Sequence, residues 1–158
     1  MGTEIERKFL VKGERWRREV TKTLVLCQGY LAVDKLCTVR VRIDGSCAWL
    51  TLKGRAAQGV TPEFNYPIPV QDALTILDSL AKRPFIEKKR HLIPQNGLVW
   101  EVDEFLGDNS GLIIAEIELA APDQSFPLPE WVDREVTGEK PYYNSSLVTF
   151  PFSQWAQP

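Results

Sequence analysis

The stretch Thr3-Glu4-Ile5-Glu6-Arg7-Lys8-Phe9-Leu10-Val11 decides how the rest of the chain reads. At a period of two it places Glu4, Glu6 and Lys8 on one face and Ile5, Phe9 and Val11 on the other, the pattern of a β-strand. Charged side chains are costly to bury unless they are paired or hold an ion, and they are ordinary on a face in water. These residues alone fit either a solvated strand or the wall of a charged cavity.

Repetition of the pattern along the chain separates the two. Arg40 and Arg42 alternate with Val39, Val41 and Ile43, and Lys53 follows Thr51 across Leu50 and Leu52. Lys88 and Arg90 are two apart, as are Glu101 and Asp103, and then Glu116 and Glu118 within Ile113-Ile114-Ala115-Glu116-Ile117-Glu118-Leu119. After the first strand, each charged face carries one sign only. A random wet surface would mix Lys with Glu, and both with Ser and Thr. Segregated acidic and basic strands suit a cavity that holds a polyanion together with its metal ions.

Composition bounds the setting. At 158 residues the chain reads as one domain, 1–158, long enough to bury a core. Net charge is -2, from 19 basic and 21 acidic residues, which disfavours a nucleic-acid partner. No apolar run approaches the roughly 20 residues of a membrane span, and the start carries neither the basic nor the apolar region of a signal peptide. Gly2 does not open a myristoylation motif, because Glu6 stands where Ser or Thr is required. Cys27, Cys37 and Cys47 form no C-x-x-C pair and are odd in number, which argues against a disulfide framework. His91 is the only histidine, which argues against zinc. A reduced, cytoplasmic setting is expected, with no membrane partner.

Turn and period signals place further strands at 24–31, 39–43, 47–53, 60–68, 85–93, 98–105 and 112–120. Gly29 suggests a bulge, while Asp44-Gly45 and Pro94-Gln95-Asn96-Gly97 read as hairpin turns. Leu74, Leu77, Leu80 and Ala81 mark a helix over 71–82, stopped by Pro84. A short helix is expected from Asp123, and a C-terminal one over 144–155. The fold class is α+β, mainly β: a closed antiparallel barrel of about eight strands forming a charged tunnel, with a few flanking helices. A charged interior cannot collapse dry, since unpaired buried charges cost several kcal/mol each. The apolar faces, with Ile5, Phe9, Val39, Val41, Ile43, Leu50, Leu52, Ile117 and Leu119, then turn outward beneath helices or a second subunit. A homodimer is expected on that ground.

The order Glu-x-Glu-x-Lys at 4–8, Arg-x-Arg at 40–42, Thr-Leu-Lys at 51–53, Lys-x-Arg at 88–90, Glu-x-Asp at 101–103 and Glu-x-Glu at 116–118 resembles the CYTH superfamily, the triphosphate tunnel metalloenzymes. Gln28-Gly29-Tyr30-Leu31, Glu135-Val136-Thr137 and Tyr142-Tyr143-Asn144 extend the likeness over nearly the whole chain. It looks most similar to the bacterial short-chain inorganic tripolyphosphatases. The resemblance implies a tunnel fold and metal-dependent hydrolysis of a triphosphate, first of all inorganic tripolyphosphate to pyrophosphate and phosphate. Hydrolysis of a nucleoside or thiamine triphosphate, cyclisation of ATP, and a non-catalytic polyphosphate- or nucleotide-binding module stay open beside it.

Guanidinium groups match phosphate oxygens bidentately and lysine acts as a point charge, so Lys8, Arg40, Arg42, Lys53, Lys88 and Arg90 are the candidates for the phosphate chain. Carboxylates without His or Cys companions suit Mg²⁺ or Mn²⁺. The resemblance points first to Glu4, Glu6, Glu116 and Glu118 as metal ligands, next to Asp103, and then to Glu101 and Glu63. Glu6 or Glu118 would orient or deprotonate the attacking water, with Lys8 as their catalytic companion. Tyr30, Tyr142, Asn144, Arg134 and Lys140 are lesser candidates, and Trp16, Trp49, Trp100, Trp131 and Trp155 are expected in the core or an interface.

Overall fold

The N-terminal stretch forms two short strands, β1 (Thr3–Glu4) and β2 (Glu6–Val11), interrupted at Ile5. They are followed by β3 (Lys22–Val33), β4 (Thr38–Asp44), β5 (Cys47–Lys53), β6 (Thr61–Ile68), helix α1 (Val70–Ser79), β7 (Ile86–Gln95), β8 (Leu98–Phe105), β9 (Ile113–Glu118), β10 (Val132–Glu135) and helix α2 (Asn144–Thr149). The computed structural model describes residues 2–156.

The ten strands pair antiparallel in the order β1-β6-β5-β4-β3-β7-β8-β9-β2-β10. The expected mainly β, antiparallel architecture is present, with ten strands in place of about eight and with a hydrogen-bonded ladder that keeps two ends where closure was expected. The break is local. Thr3 and Glu4 pair with Pro62 and Thr61 of β6, whereas Glu6 to Leu10 pair with Glu118 to Ile114 of β9. One continuous piece of chain therefore touches both flanks of the sheet, with Ile5 as its corner, and the Ile5 carbonyl accepts the Leu119 N–H at 2.7 Å. β10, four residues of mixed polarity, adds beside β2, where Glu135 takes a bidentate pair from Arg7.

Register brings the charged faces together. Glu6 lies opposite Glu118, Lys8 opposite Glu116, Glu101 opposite Glu116, Arg90 opposite Asp103, and Lys53 opposite Glu63. Cross-strand partners share a face of the sheet, so these residues line one side. The other side is apolar and covered in two places. Ala73 and Leu77 of α1, one helical turn apart, bury themselves against Val41 and Ala48, with Ile43, Leu50 and Ile68 around them. Phe9, Ile117 and Leu119 join Trp16, Trp100 and Trp131 in a second cluster, and each such side chain contributes about 1.5–3 kcal/mol on burial. Much of the outward apolar face is thus covered within the chain, while Leu52, Phe64 and Tyr66 remain exposed.

Gly29 serves close approach. A Cβ there would meet Leu77 Cδ2 at 2.7 Å and Ala81 Cβ at 2.9 Å, so only glycine lets the end of α1 sit this near β3. The bulge itself falls between Tyr30 and Ala32. The short helix expected from Asp123 does not form, for residues 124–129 carry no regular structure and Pro122, Pro127 and Pro129 lack the N–H a helix needs. The C-terminal helix stops at Thr149 because Pro151 follows, and a 3-10 turn, Phe152–Gln154, completes the segment. Leu147 of α2 is fully buried against Tyr30, Ile86, Phe105 and Ile114, which belong to the charged side of the sheet by register. The end of the tunnel is lined with apolar groups, and α2 sits on them.

Candidate active site in the tunnel

Two clusters of carboxylate and base form where β1, β2 and the strands beside them converge. In the first, Lys53 reaches from the end of β5 to three acids. It donates to Glu4 and lies 3.4 Å from Glu6 Oε1 and 3.5 Å from Glu63 Oε2. Burial, then the neighbouring Glu6 carboxylate, pushes the Glu4 carboxyl up to about 7, against the pull of Lys53. Burial opposes the charge on Lys53, yet Glu6 and Glu4 outweigh it and raise its pKa. Glu63 Oε2 is buried and accepts no hydrogen bond.

In the second cluster Arg90 forks onto Asp103 through two bonds of 2.8 Å and reaches Glu101 at 2.7 Å and Glu116 at 3.4 Å. Asp103 also takes Lys88 Nζ at 2.6 Å, so both its oxygens are engaged. Burial lowers the Lys88 ammonium to about 8, with Arg90 adding to the effect and Asp103 opposing it. Lys8 joins the two clusters, 3.2 Å from Glu116 and 3.6 Å from Glu6. Glu116 is held well below the usual carboxylate range: burial works the other way, but Lys8 and Arg90 prevail.

Arg40 and Arg42 differ from the other bases. Each has a buried Nε that makes no hydrogen bond, although Arg42 Nε lies 3.4 Å from Asp44 Oδ2. Burial, then Arg40 and Arg90, lowers the Arg42 pKa, as expected of a guanidinium short of anions. Buried donors are rarely left unused, so this pair marks where an anion fits.

The structure therefore brings together Glu4, Glu6, Lys8, Lys53, Lys88, Arg90, Asp103 and Glu116, and places Arg40 and Arg42 on the same face. Glu118 is exposed opposite Glu6 and makes no ion pair among the described residues. Glu63, which the resemblance points to only after Asp103 and together with Glu101, belongs to the first cluster. Asn144 is more central than its sequence signal: its Oδ1 accepts Lys88 Nζ at 3.2 Å and Gln28 Nε2 at 3.1 Å. Gln28, unassigned by sequence, is nearly fully buried, and its phase with Leu26 and Tyr30 along β3 was the available signal. Tyr142 packs on Trp155 and bonds Arg134 at the surface, and Lys140 is exposed. Trp16, Trp100, Trp131 and Trp155 pack in apolar clusters, but Trp49 does not. It stands between Ala48 and Leu50, which turn toward α1, and pairs in register with Arg42.

A hard divalent cation fits the donor chemistry of the first cluster, which is all carboxylate oxygen and includes Glu63 Oε2, buried and unused. Among the described residues no three His, Cys, Asp or Glu side chains form a ready-made cage, because lysine and arginine fill the carboxylate clusters.

A family model described as the CYTH domain matches residues 2–149. An inorganic triphosphatase of Acetivibrio thermocellus is 44% identical over 157 residues, covering 99% of this chain and 100% of that protein. One of Nitrosomonas europaea is 34% identical over 156 residues, covering 92% and 97%. A solved inorganic triphosphatase, 33% identical, superposes with a TM-score of 0.62 over 94% of this chain and 95% of its own.

Proposed function

Since the chain belongs to the CYTH domain family, we propose that it hydrolyses inorganic tripolyphosphate to pyrophosphate and orthophosphate with Mg²⁺ or Mn²⁺. The observation that carries this reading is the pair of buried guanidiniums, Arg40 and Arg42, with unused Nε–H donors facing a wall of paired charges. The likeness to inorganic triphosphatases over essentially the whole chain supports it.

Transfer of a phosphoryl group needs alignment and charge stabilisation more than covalent help. Arg40 and Arg42 fork onto phosphate oxygens, and Lys8, Lys53, Lys88 and Arg90 neutralise the remainder of the chain. Glu4 and Glu6, with Glu63 beside them around Lys53, would hold the cation, and Glu116, Asp103 and Glu118 are the further candidates. A bound Mg²⁺ or Mn²⁺ supplies charge neutralisation at the phosphate and acidifies water. Glu6 or Glu118 accepts the proton of the attacking water as its oxygen bonds to a terminal phosphorus. The phosphoanhydride P–O bond breaks, and pyrophosphate leaves with the bonding electrons. Lys8 lies between Glu6 and Glu116 and offers each carboxylate a positive partner.

One observation favours a second reading. Trp49, outside every apolar cluster and in register with Arg42, offers a flat ring beside the phosphate site, which suits the base of an organic triphosphate. Phosphate release from tripolyphosphate, ATP and thiamine triphosphate, with each metal and with a Glu6→Gln control, tests both. Preference for tripolyphosphate that is lost in the control supports hydrolysis of the inorganic substrate. Turnover of an organic triphosphate favours the second reading, and tight binding without release would make this a binding module.

The same reading makes residues 1–158 a single cytoplasmic domain whose partner is the small polyanion. Among the described residues no helix is long and apolar enough to cross a membrane. A homodimer would cover Leu52, Phe64 and Tyr66, and sedimentation velocity checks it.

A further inference from the structure

Glu4, Glu6 and Glu63 come from three different strands and converge on one point, and the Lys53 ammonium sits at that point. Three carboxylates surround this one ammonium, and among the described residues only Glu6 of the three has a second base, Lys8, at 3.6 Å. The geometry is also unfinished, for Lys53 hydrogen-bonds Glu4 closely but lies at 3.4 Å and 3.5 Å from the other two, and Glu63 Oε2 accepts no hydrogen bond. These oxygens can close on Mg²⁺ at about 2.1 Å only when the ammonium has left, since both cations need the same oxygen donors. Lysine suits such an exchange, being a point charge on a flexible four-carbon stem. Lys53 is also on the side of the sheet that carries Arg40 and Arg42, so phosphate offers the freed ammonium another anion.

We propose that Lys53 occupies the seat of the divalent cation in the metal-free protein and is released onto the phosphate chain when the ion binds, so that metal loading and triphosphate binding reinforce one another. The inference rests on the function proposed above and adds a coupling to it. A ligand that gives the displaced ammonium a new partner lowers the cost of displacing it, and by linkage the metal raises triphosphate affinity by the same factor.

The test is a Mn²⁺ titration followed by electron paramagnetic resonance, with and without the non-hydrolysable imidotriphosphate. Wild type, Lys53→Met, Lys53→Gln and Arg42→Gln are compared, and circular dichroism establishes that each is folded. Removing any cation from the tunnel raises Mn²⁺ affinity somewhat by simple Coulomb relief, and Arg42→Gln measures that background. Both Lys53 variants are expected to bind Mn²⁺ alone about tenfold or more tighter than wild type, against about threefold or less for Arg42→Gln. The factor by which imidotriphosphate tightens Mn²⁺ binding should shrink correspondingly in the Lys53 variants. Equal Mn²⁺ affinities in the Lys53 and Arg42 variants would overturn the inference. In wild type, ¹⁵N detection of the lysine ammonium groups should show the Lys53 signal shift as Mg²⁺ saturates the protein, and a signal that stays in place refutes the displacement. The arms with metal alone use no triphosphate, so they decide the role of Lys53 even if tripolyphosphate proves not to be the substrate.

Discussion

Lys53 and Arg90 each stand among three carboxylates, on different terms. Arg90 is a planar fork matched atom for atom to Asp103, a carboxylate with no exposed surface that also holds Lys88. Lys53 keeps 27% of its side chain exposed and shares itself among three acids with one close bond and two long contacts. The first arrangement fixes the wall of the tunnel, and the second leaves a charge free to move. Identical sequence logic, a base opposite acids, thus yields a strut in one place and an exchangeable ion in the other. Burial and hydrogen-bond geometry make the difference.

The contrast would break most visibly at Asp103. Asp103→Leu leaves Lys88 and Arg90 buried without their shared anion and should cost about 3–5 kcal/mol in a denaturant melt. Lys53→Met should cost less than about 1 kcal/mol, and equal losses would erase the distinction between strut and exchangeable ion. Glu6→Gln, which removes a charge from the Lys53 cluster without changing its shape, should reduce tripolyphosphate turnover by about a hundredfold or more, measured as phosphate release.

Glu4→Gln sharpens the comparison through pH. The folded-state carboxyl of Glu4 is raised to about 7 from its ordinary 4.5, so the folded protein binds this proton more tightly than the unfolded chain. Metal-free wild type should therefore lose stability as pH climbs from 4.5 through about 7, and Glu4→Gln should not. At pH 8 the variant should be the more stable by about 2 kcal/mol in thermal melts, a gain that shrinks at pH 5. A modest effect is expected for Asn144→Ala as well. Loss of the acceptor shared by Lys88 and Gln28 should cost about 1–2 kcal/mol and raise KM more than it lowers kcat.

The alternation of charge in β2, β4, β7 and β9 was legible because a strand shows both its faces within a few residues, and the sign of each face follows directly. Which acid meets which base was not, for it depends on strand order. Lys53 and Glu4 are 49 positions apart and meet only because β6 lies between β1 and β5 in the sheet. Glu63 lies between Pro62 and Pro67, and prolines in a strand are the mark of an edge, which gives no hint of an inward-facing acid. Gln28 carries no charge to betray it between Cys27 and Gly29. Asn144 reads as an ordinary helix start, although its side chain turns inward to Lys88. Ile5 gave no sign of the corner that separates β1 from β2, since local pattern describes a strand and says nothing of its neighbours.

The seat of α2 has a consequence for traffic. Leu147 packs against Tyr30, Ile86, Phe105 and Ile114, so that stretch of the charged face is covered by apolar groups. A polyanion gains little from apolar groups, so phosphates are drawn instead to the basic side chains beyond them, among which Lys88 donates to Asn144 at the head of α2.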